Sequence, residues 1–243
     1  MVKPRACGDF DGWHRTPIER AAYILNLLLG LDYVPPTVYR HDLEVDGQRY
    51  EHGGAVIYFV EDLNLLQEVP EEDWGVDKED LLSATRLLVW LMPHATVCFM
   101  FATSVWCASV PVCDCSSTLM RFCTCYVQDV LLHNTDRHMG HFAWGKHWAL
   151  PTSLPVLIDH AAGFRQDACV TMEQENAFQT GAVKRLNSKT YLHLKLLNAA
   201  VITERLNGIL TAQEIASLIE RRDGVLKYLD DLILVHGSEN VLL

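Results

Sequence analysis

Asp129-Val130-Leu131-Leu132-His133-Asn134-Thr135-Asp136-Arg137-His138 is the densest polar constellation in the chain, and Val156-Leu157-Ile158-Asp159-His160 follows it after a polar gap. An apolar run leads into a polar loop carrying Asp136, and a short apolar strand ends at Asp159. That order suits phosphoryl transfer. One carboxylate orients or deprotonates an acceptor hydroxyl, and a second, about twenty residues on, holds the metal that bridges the phosphates. The spacing lets a β-hairpin bring both carboxylates to one cleft. Taken singly, Asp136 reads equally as a turn aspartate after Asn-Thr, and Asp159 as a cap on the next segment.

Working outward, Thr16-Pro17-Ile18-Glu19 reads as a capping box with Pro at the first helical position, and Gly30 stands where a helix would stop. Ala21, Ala22, Ile24, Leu25, Leu28 and Leu29 form a wide apolar face between them, so the pattern predicts a helix over 17–29. Val34 to Arg40 must be extended, because Pro35 and Pro36 push their predecessors out of helical space. Asp46-Gly47 is a hairpin turn signal, and Ala55-Val56-Ile57-Tyr58-Phe59-Val60 reads as a buried strand. An acidic loop from Glu68 to Asp73 precedes a predicted helix from about Lys78 to Leu91. Beyond the polar constellation the chain reads as helical. Tyr191 to Asn207 has helical spacing, Thr211-Ala212-Gln213-Glu214 is a second capping box, and Ile215, Leu218, Ile219, Leu226, Leu229 and Ile233 continue as an amphipathic stripe.

Composition sets the outer bounds. With 243 residues, 49% of them hydrophobic and 21% charged, the chain can bury a sizeable core and is too apolar for disorder. A formal charge of −11 argues against nucleic acid or an anionic membrane as the main partner, since both reward a basic surface. Six of the eight cysteines lie between Cys98 and Cys125, so the remainder does not read as a disulfide-stapled domain. From Ala95 to Cys113 there is no charge, yet Pro93, Pro111 and the run of Thr, Ser and Cys make residues 92–125 a poor spanning helix. This segment reads as an anomalous insert, and the membrane stays out of the account unless it is a genuine span. No apolar segment follows Met1-Val2-Lys3-Pro4-Arg5 as a secretory signal would require.

The Asn-Thr-Asp-Arg-His loop and the Ile-Asp-His strand end resemble the catalytic and metal motifs of kinases related to phosphatidylinositol kinases. Ile18-Glu19-Arg20-Ala21-Ala22-Tyr23-Ile24-Leu25, Leu29-Gly30-Leu31, Val34-Pro35-Pro36-Thr37-Val38 and Asn187 to Leu197 narrow the likeness. They resemble the secretory-pathway kinase family, the group that includes the Golgi casein kinase, the glycosaminoglycan xylosylkinase and four-jointed. The resemblance covers most of the chain apart from 92–125. It implies an α+β, protein-kinase-like fold in a single domain: a reduced N-lobe and hinge over 1–76, and a mostly helical C-lobe over 77–243. It also implies an ATP-dependent kinase using Mg²⁺ or Mn²⁺, with a protein Ser/Thr or glycan sugar hydroxyl as acceptor, in the Golgi lumen or secretory pathway. By the same resemblance Lys3 is the strand lysine on the ATP phosphates, and Glu19 the helix glutamate that pairs with lysine and metal. Tyr58, Phe59, Val60 and Glu61 lie where the adenine-binding hinge would be. Asp136 is the catalytic base and Asp159 the metal ligand.

The chain departs from that pattern in three places. His141 stands five positions after Asp136, where the resemblance calls for an acidic residue or Asn at the nucleotide–metal site. Little sequence precedes Lys3 to supply the glycine loop, and Gln179-Thr180-Gly181 stands in place of expected cysteines. These departures motivate a second reading, a catalytically silent pseudokinase acting as a binding or allosteric module, and leave the cytoplasm as the alternative compartment. Glu19 has a rival reading too: as a capping-box carboxylate folded back on Thr16 it could not reach a phosphate site. A third reading is a zinc hydrolase drawing on His133, His138, His141, His147, Asp159 and His160. Arg137 and His138 read as residues that fix the loop.

Overall fold

A computed structural model of the chain describes residues 2–4, 15–65, 68, 127–134, 137, 139–164 and 185–242. The acidic loop after Glu68, the helix expected from Lys78, the 92–125 insert, all eight cysteines and the pair Asp136 and His138 lie outside the described residues.

Strand β1 (Val2–Pro4) precedes helix α1 (Pro17–Leu28). Strands β2 (Thr37–Arg40), β3 (Leu43–Val45), β4 (Gln48–Tyr50), β5 (Gly54–Ile57) and β6 (Asn64–Leu65) follow. Strands β1, β5 and β2 pair antiparallel in that order, and β3 and β4 form a separate hairpin. Its turn places Asp46 at φ 52° and Gly47 at φ 78°. Two successive left-handed residues are what a two-residue hairpin turn needs, which is why Asp-Gly marks it.

Residues 127–132 are helical (α2) and run into the polar loop. A 3-10 turn, Met139–His141, then leads to β7 (Phe142–Lys146) and β8 (Ser153–Leu157), which form the expected hairpin with β6 paired on the far side of β7. The C-terminal part consists of α3 (Ser188–Leu196), α4 (Ala199–Leu206), α5 (Ala212–His236) and α6 (Ser238–Val241). The larger core cluster draws Leu25 from α1, Leu131 from α2, Leu194 from α3, Ile202 from α4 and Leu218 from α5, all fully buried. Among the described residues no helix is long and apolar enough to cross a membrane.

Three expectations need correcting. The strand expected over 55–60 is β5, which ends at Ile57; Tyr58 and Phe59 are exposed. Its partner strand explains the stop. The Tyr58 N–H reaches the Pro36 carbonyl at 2.8 Å, but Pro36 has no N–H to return and the ladder cannot continue. The helical spacing over 191–207 is divided between two helices, broken at Leu197, because the Asn198 side chain accepts from the Val201 N–H and starts α4 afresh. The capping box at Thr16 does not form. Thr16 is already helical (φ −53°, ψ −37°) rather than extended, and makes no side-chain cap bond. The second box does form: Thr211 and Glu214 exchange both reciprocal bonds at the head of α5.

The end of α1 depends on one buried amide. Asn26 Nδ2 donates to the Leu31 carbonyl at 2.7 Å, and its Oδ1 accepts from the Tyr33 and Val34 N–H groups at 3.1 and 3.3 Å. Gly30, at φ +67°, makes the turn, and a Cβ there would stand 2.7 Å from His193 Nε2. Replacing Asn26 by Ala strands several buried backbone groups at once. The expected loss is about 3 kcal/mol, read as a lower urea midpoint at unchanged m-value.

Candidate functional site

The loop that carries Asp136 is organised around the residue after it. Arg137 is 1% exposed. Its Nε and Nη2 donate to the two oxygens of Asp129 at 3.0 Å each, a bidentate pair between the start of the apolar run and the loop it leads into. Its Nη1 donates to the Ile158 carbonyl at 2.6 Å and the His141 carbonyl at 3.1 Å. The guanidinium also lies 5.4 Å from the centre of the Phe142 ring. One side chain thus fastens the loop to α2, to the entry of β7 and to the residue before Asp159. That is the loop-fixing role expected of Arg137.

Asn134, two residues before Asp136, makes the matching link from the other side: its Nδ2 donates to the Asp159 carbonyl at 3.1 Å. The two flanks of the Asp136 position are therefore both bonded to the strand end that carries Asp159. Asp159 takes a left-handed backbone, φ +53°, and its side chain is 35% exposed. Its Oδ2 stands 3.8 Å from Nε2 of His141. His133 and Phe164 are left-handed as well, at φ 49° and 55°. Non-glycine residues in that region cost energy and persist where surrounding bonds impose them.

Glu19 is buried, 2% exposed, and reaches across from α1. Both its oxygens accept from the His160 N–H, at 3.2 and 3.1 Å, and Oε2 lies 3.3 Å from His160 Nδ1. The Thr16 side-chain cap is absent, and the Glu19 carboxylate sits instead against the residue following Asp159. The turn after Asp159 is held from both sides. Phe164 N–H donates to the Leu132 carbonyl and Gly163 N–H to that of His160, while Arg15 donates to the Gly163 and Phe164 carbonyls.

The remaining positions are placed less completely. Lys3 lies on β1 opposite Ala55 of β5, on the sheet beside α1. Tyr58 to Glu61 connects β5 to β6. Phe59 is 72% exposed, whereas Val60 is buried with Ala143, Leu154 and Val156. Glu61 accepts from Lys146 Nζ at 3.0 Å, which raises the pKa of that exposed lysine. The described histidines of the zinc reading have separate partners. His147 stacks on Trp148 and its Nδ1 accepts from the Ala149 and Leu150 N–H groups, while His160 faces Glu19. Among the described residues no three His, Cys, Asp or Glu side chains are grouped to hold an ion.

Sequence reasoning missed three supporting residues. Asp129 has no role in the motif until its partner Arg137 is known. Arg15 bonds the turn after Asp159 and pairs with Glu214. Arg221 on α5 donates to the Leu131 carbonyl at 3.0 Å, and burial pushes its pKa down to about 10. Its signal was present, since Leu218, Arg221 and Val225 share one helical face and all three are buried.

A small antiparallel sheet with one packed helix, a short connection and a helical body carrying a hairpin-borne carboxylate site define a protein-kinase-like fold. The fold is shared with three solved structures. The structure of hydra Fam20 with sugar matches with a TM-score of 0.57 at 17% identity, over 99% of this chain and 78% of that one. The golgi casein kinase matches at 0.59 and 13% identity, over 100% and 67% of the two chains. The Golgi casein kinase with Mn/ADP bound matches at 0.55 and 14% identity, over the same shares. By sequence, no family model and no curated protein matches the chain.

Breaking the Arg137–Asp129 pair leaves an uncompensated buried charge. Asp129→Asn or Arg137→Met alone is expected to cost about 3–5 kcal/mol in urea unfolding. The combination Asp129→Leu with Arg137→Met is expected to recover part of that loss. Recovery stays partial because the Ile158 carbonyl loses the Arg137 donor and the His141 carbonyl keeps only the Ile158 N–H.

Proposed function

We propose that the chain is an ATP-dependent phosphotransferase acting on a hydroxyl, of a protein Ser/Thr or of a glycan sugar. The observation that carries the proposal is the double tie between the Asp136 loop and the Asp159 strand end, through Asn134 and Arg137. Rigid placement of two carboxylates is most of what this chemistry asks of a protein, because catalysis is positioning plus charge stabilisation. In this reading Asp136 accepts the proton of the acceptor hydroxyl. Asp159 and Glu19 face the phosphates, Lys3 neutralises them from β1, and Tyr58 to Glu61 receives the adenine. Residues 1–76 serve as N-lobe and hinge, and 77–243 as the C-lobe. The likeness to Golgi kinases supports a secretory-pathway location.

The donor set is a test of the expected metal. Asp159 offers a partly exposed carboxylate oxygen and His141 an imidazole nitrogen 3.8 Å from it. One oxygen and one nitrogen fit a divalent ion whose remaining ligands are phosphate and water oxygens. When bound, such an ion supplies neutralisation of phosphate charge. The chain's own contribution is to hold Asp159 at its left-handed turn and to keep the loop registered against it.

A second reading, the silent pseudokinase, is favoured by two observations: Glu19 already accepts the His160 amide with both oxygens, and His141, which stands where the resemblance calls for an acidic residue or Asn, lies beside Asp159. Nucleotide binding without turnover distinguishes it.

Thermal melting with ATP and a divalent ion tests the site, because a ligand that binds only the native state raises Tm by mass action. Asp159→Asn is the informative variant, since Asn tolerates the left-handed backbone that Ala does not. We expect a metal-dependent rise in the native chain and none in Asp159→Asn. A folded native chain that shows no rise with any nucleotide retires the proposal.

A further inference from the structure

We infer that a cavity at the head of α1 is a binding site for a small organic monocarboxylate, with Arg20 as the cation that pairs with it. The site stands apart from phosphoryl transfer: none of the residues given a role in that chemistry lines the cavity.

The cavity measures about 250 Å³ and lies where three parts of the chain meet, the head of α1, the end of β2 and the turn from α4 into α5. Gly208 keeps that turn open. It takes φ +81°, and no other part of the protein comes within 4 Å of where a Cβ would stand. Ile18 and Ile209 form apolar walls. Tyr39 and His41 form an aromatic one, their rings meeting edge-on with centroids 5.1 Å apart. The Tyr39 hydroxyl donates to the His52 carbonyl at 2.6 Å, which fixes the ring.

Charge then selects the ligand. Arg15 and Glu214, both in the lining, are already spent. Arg15 Nη1 pairs with Glu214 Oε1, and Nη2 donates to the Gly163 and Phe164 carbonyls. The other Glu214 oxygen is taken by Thr211 in the cap of α5. Arg20 is different: it is exposed and makes no hydrogen bond or ion pair among the described residues. With histidine counted as neutral, the lining carries one net positive charge in a chain whose formal charge is −11. One charge matches a monoanion. A phosphate monoester brings nearly two negative charges, and the second would face Glu214 and an acidic surface without a partner. A guanidinium fork bonds a carboxylate bidentately. The volume falls just under the usual range for drug-sized pockets, so the acid is small, and the aromatic and isoleucine walls suit a planar apolar body. Arg15 belongs both to this lining and to the turn after Asp159, which joins the cavity to the candidate site.

The test is a titration of the full chain with benzoate as the probe, followed by NMR of the histidine rings. The His41 signal is assigned by its absence from His41→Gln. It is expected to shift saturably, with a Kd on the order of 1 mM. Benzamide, which has the shape without the charge, and phenyl phosphate, which adds a second charge, are each expected to bind about tenfold more weakly. Arg20→Gln changes an exposed side chain and leaves the buried face of α1 intact. It is expected to raise the benzoate Kd about tenfold at unchanged Tm, and Arg20→Lys, with charge but no fork, to raise it less. A His41 signal that benzoate does not move overturns the site, as do shifts confined to other histidines. Benzamide or phenyl phosphate binding as tightly as benzoate overturns the ligand class. An unchanged benzoate Kd in Arg20→Gln overturns the role of Arg20.

Discussion

The guanidinium of Arg137 is the interaction on which the rest of the site depends. A buried cation is expensive unless its charge is paired and its donors are satisfied. Here the charge meets Asp129, and Nη1 reaches the carbonyls of His141 and Ile158. The acceptors come from three separate pieces of chain, so the arginine is satisfied only when α2, the entry to β7 and the end of β8 are all in place. A lysine could not do this. It presents a compact ammonium, whereas the planar fork of arginine bonds a carboxylate bidentately and still reaches two further oxygens. Order at the site and burial of this charge are one condition.

The support extends outward in layers. Arg221 of α5 caps the carbonyl end of α2 at Leu131, and Leu132 beside it takes the Phe164 N–H from the turn after Asp159. Arg15 and Glu19, at the head of α1, hold the other side of that turn. The head of α1 and that of α5 are themselves joined through Arg15 and Glu214. Polar side chains on helices that also build the apolar core thus set the position of a loop and a strand end. The strain at His133, Asp159 and Phe164 is borne by these bonds, which belong to the packed body of the protein.

Much of this was legible in the chain because it is local. The Asp-Gly hairpin, the extended run through Pro35 and Pro36, the Thr211 box and the α5 stripe each follow from residues a few positions apart. The order of motifs carried the fold, although no single stretch spelled it out. What escaped is nonlocal or turns on a choice between two valid local options. Thr16 and Glu19 have the residues of a capping box, but a carboxylate that can bond a backbone amide far along the chain need not bond its own helix start. Leu194 and Ile202 share the core as one long helix would require, yet Asn198 between them breaks it. Nothing near Asp129 marks it as the partner of Arg137. His141 was visible only as a departure, and nothing near it in the chain marks the 3.8 Å approach of its Nε2 to Asp159 Oδ2.

The bond from Glu19 to the His160 amide has a further consequence, in the kinetics of solvent exchange. An amide proton held by both oxygens of a buried carboxylate trades with water only when the two are separated. The carboxylate belongs to a helix 141 positions earlier in the chain, so the separation is a parting of the Glu19 side chain or its helix from the end of β8. Deuterium uptake at this one backbone position therefore counts openings between the helix and the strand end.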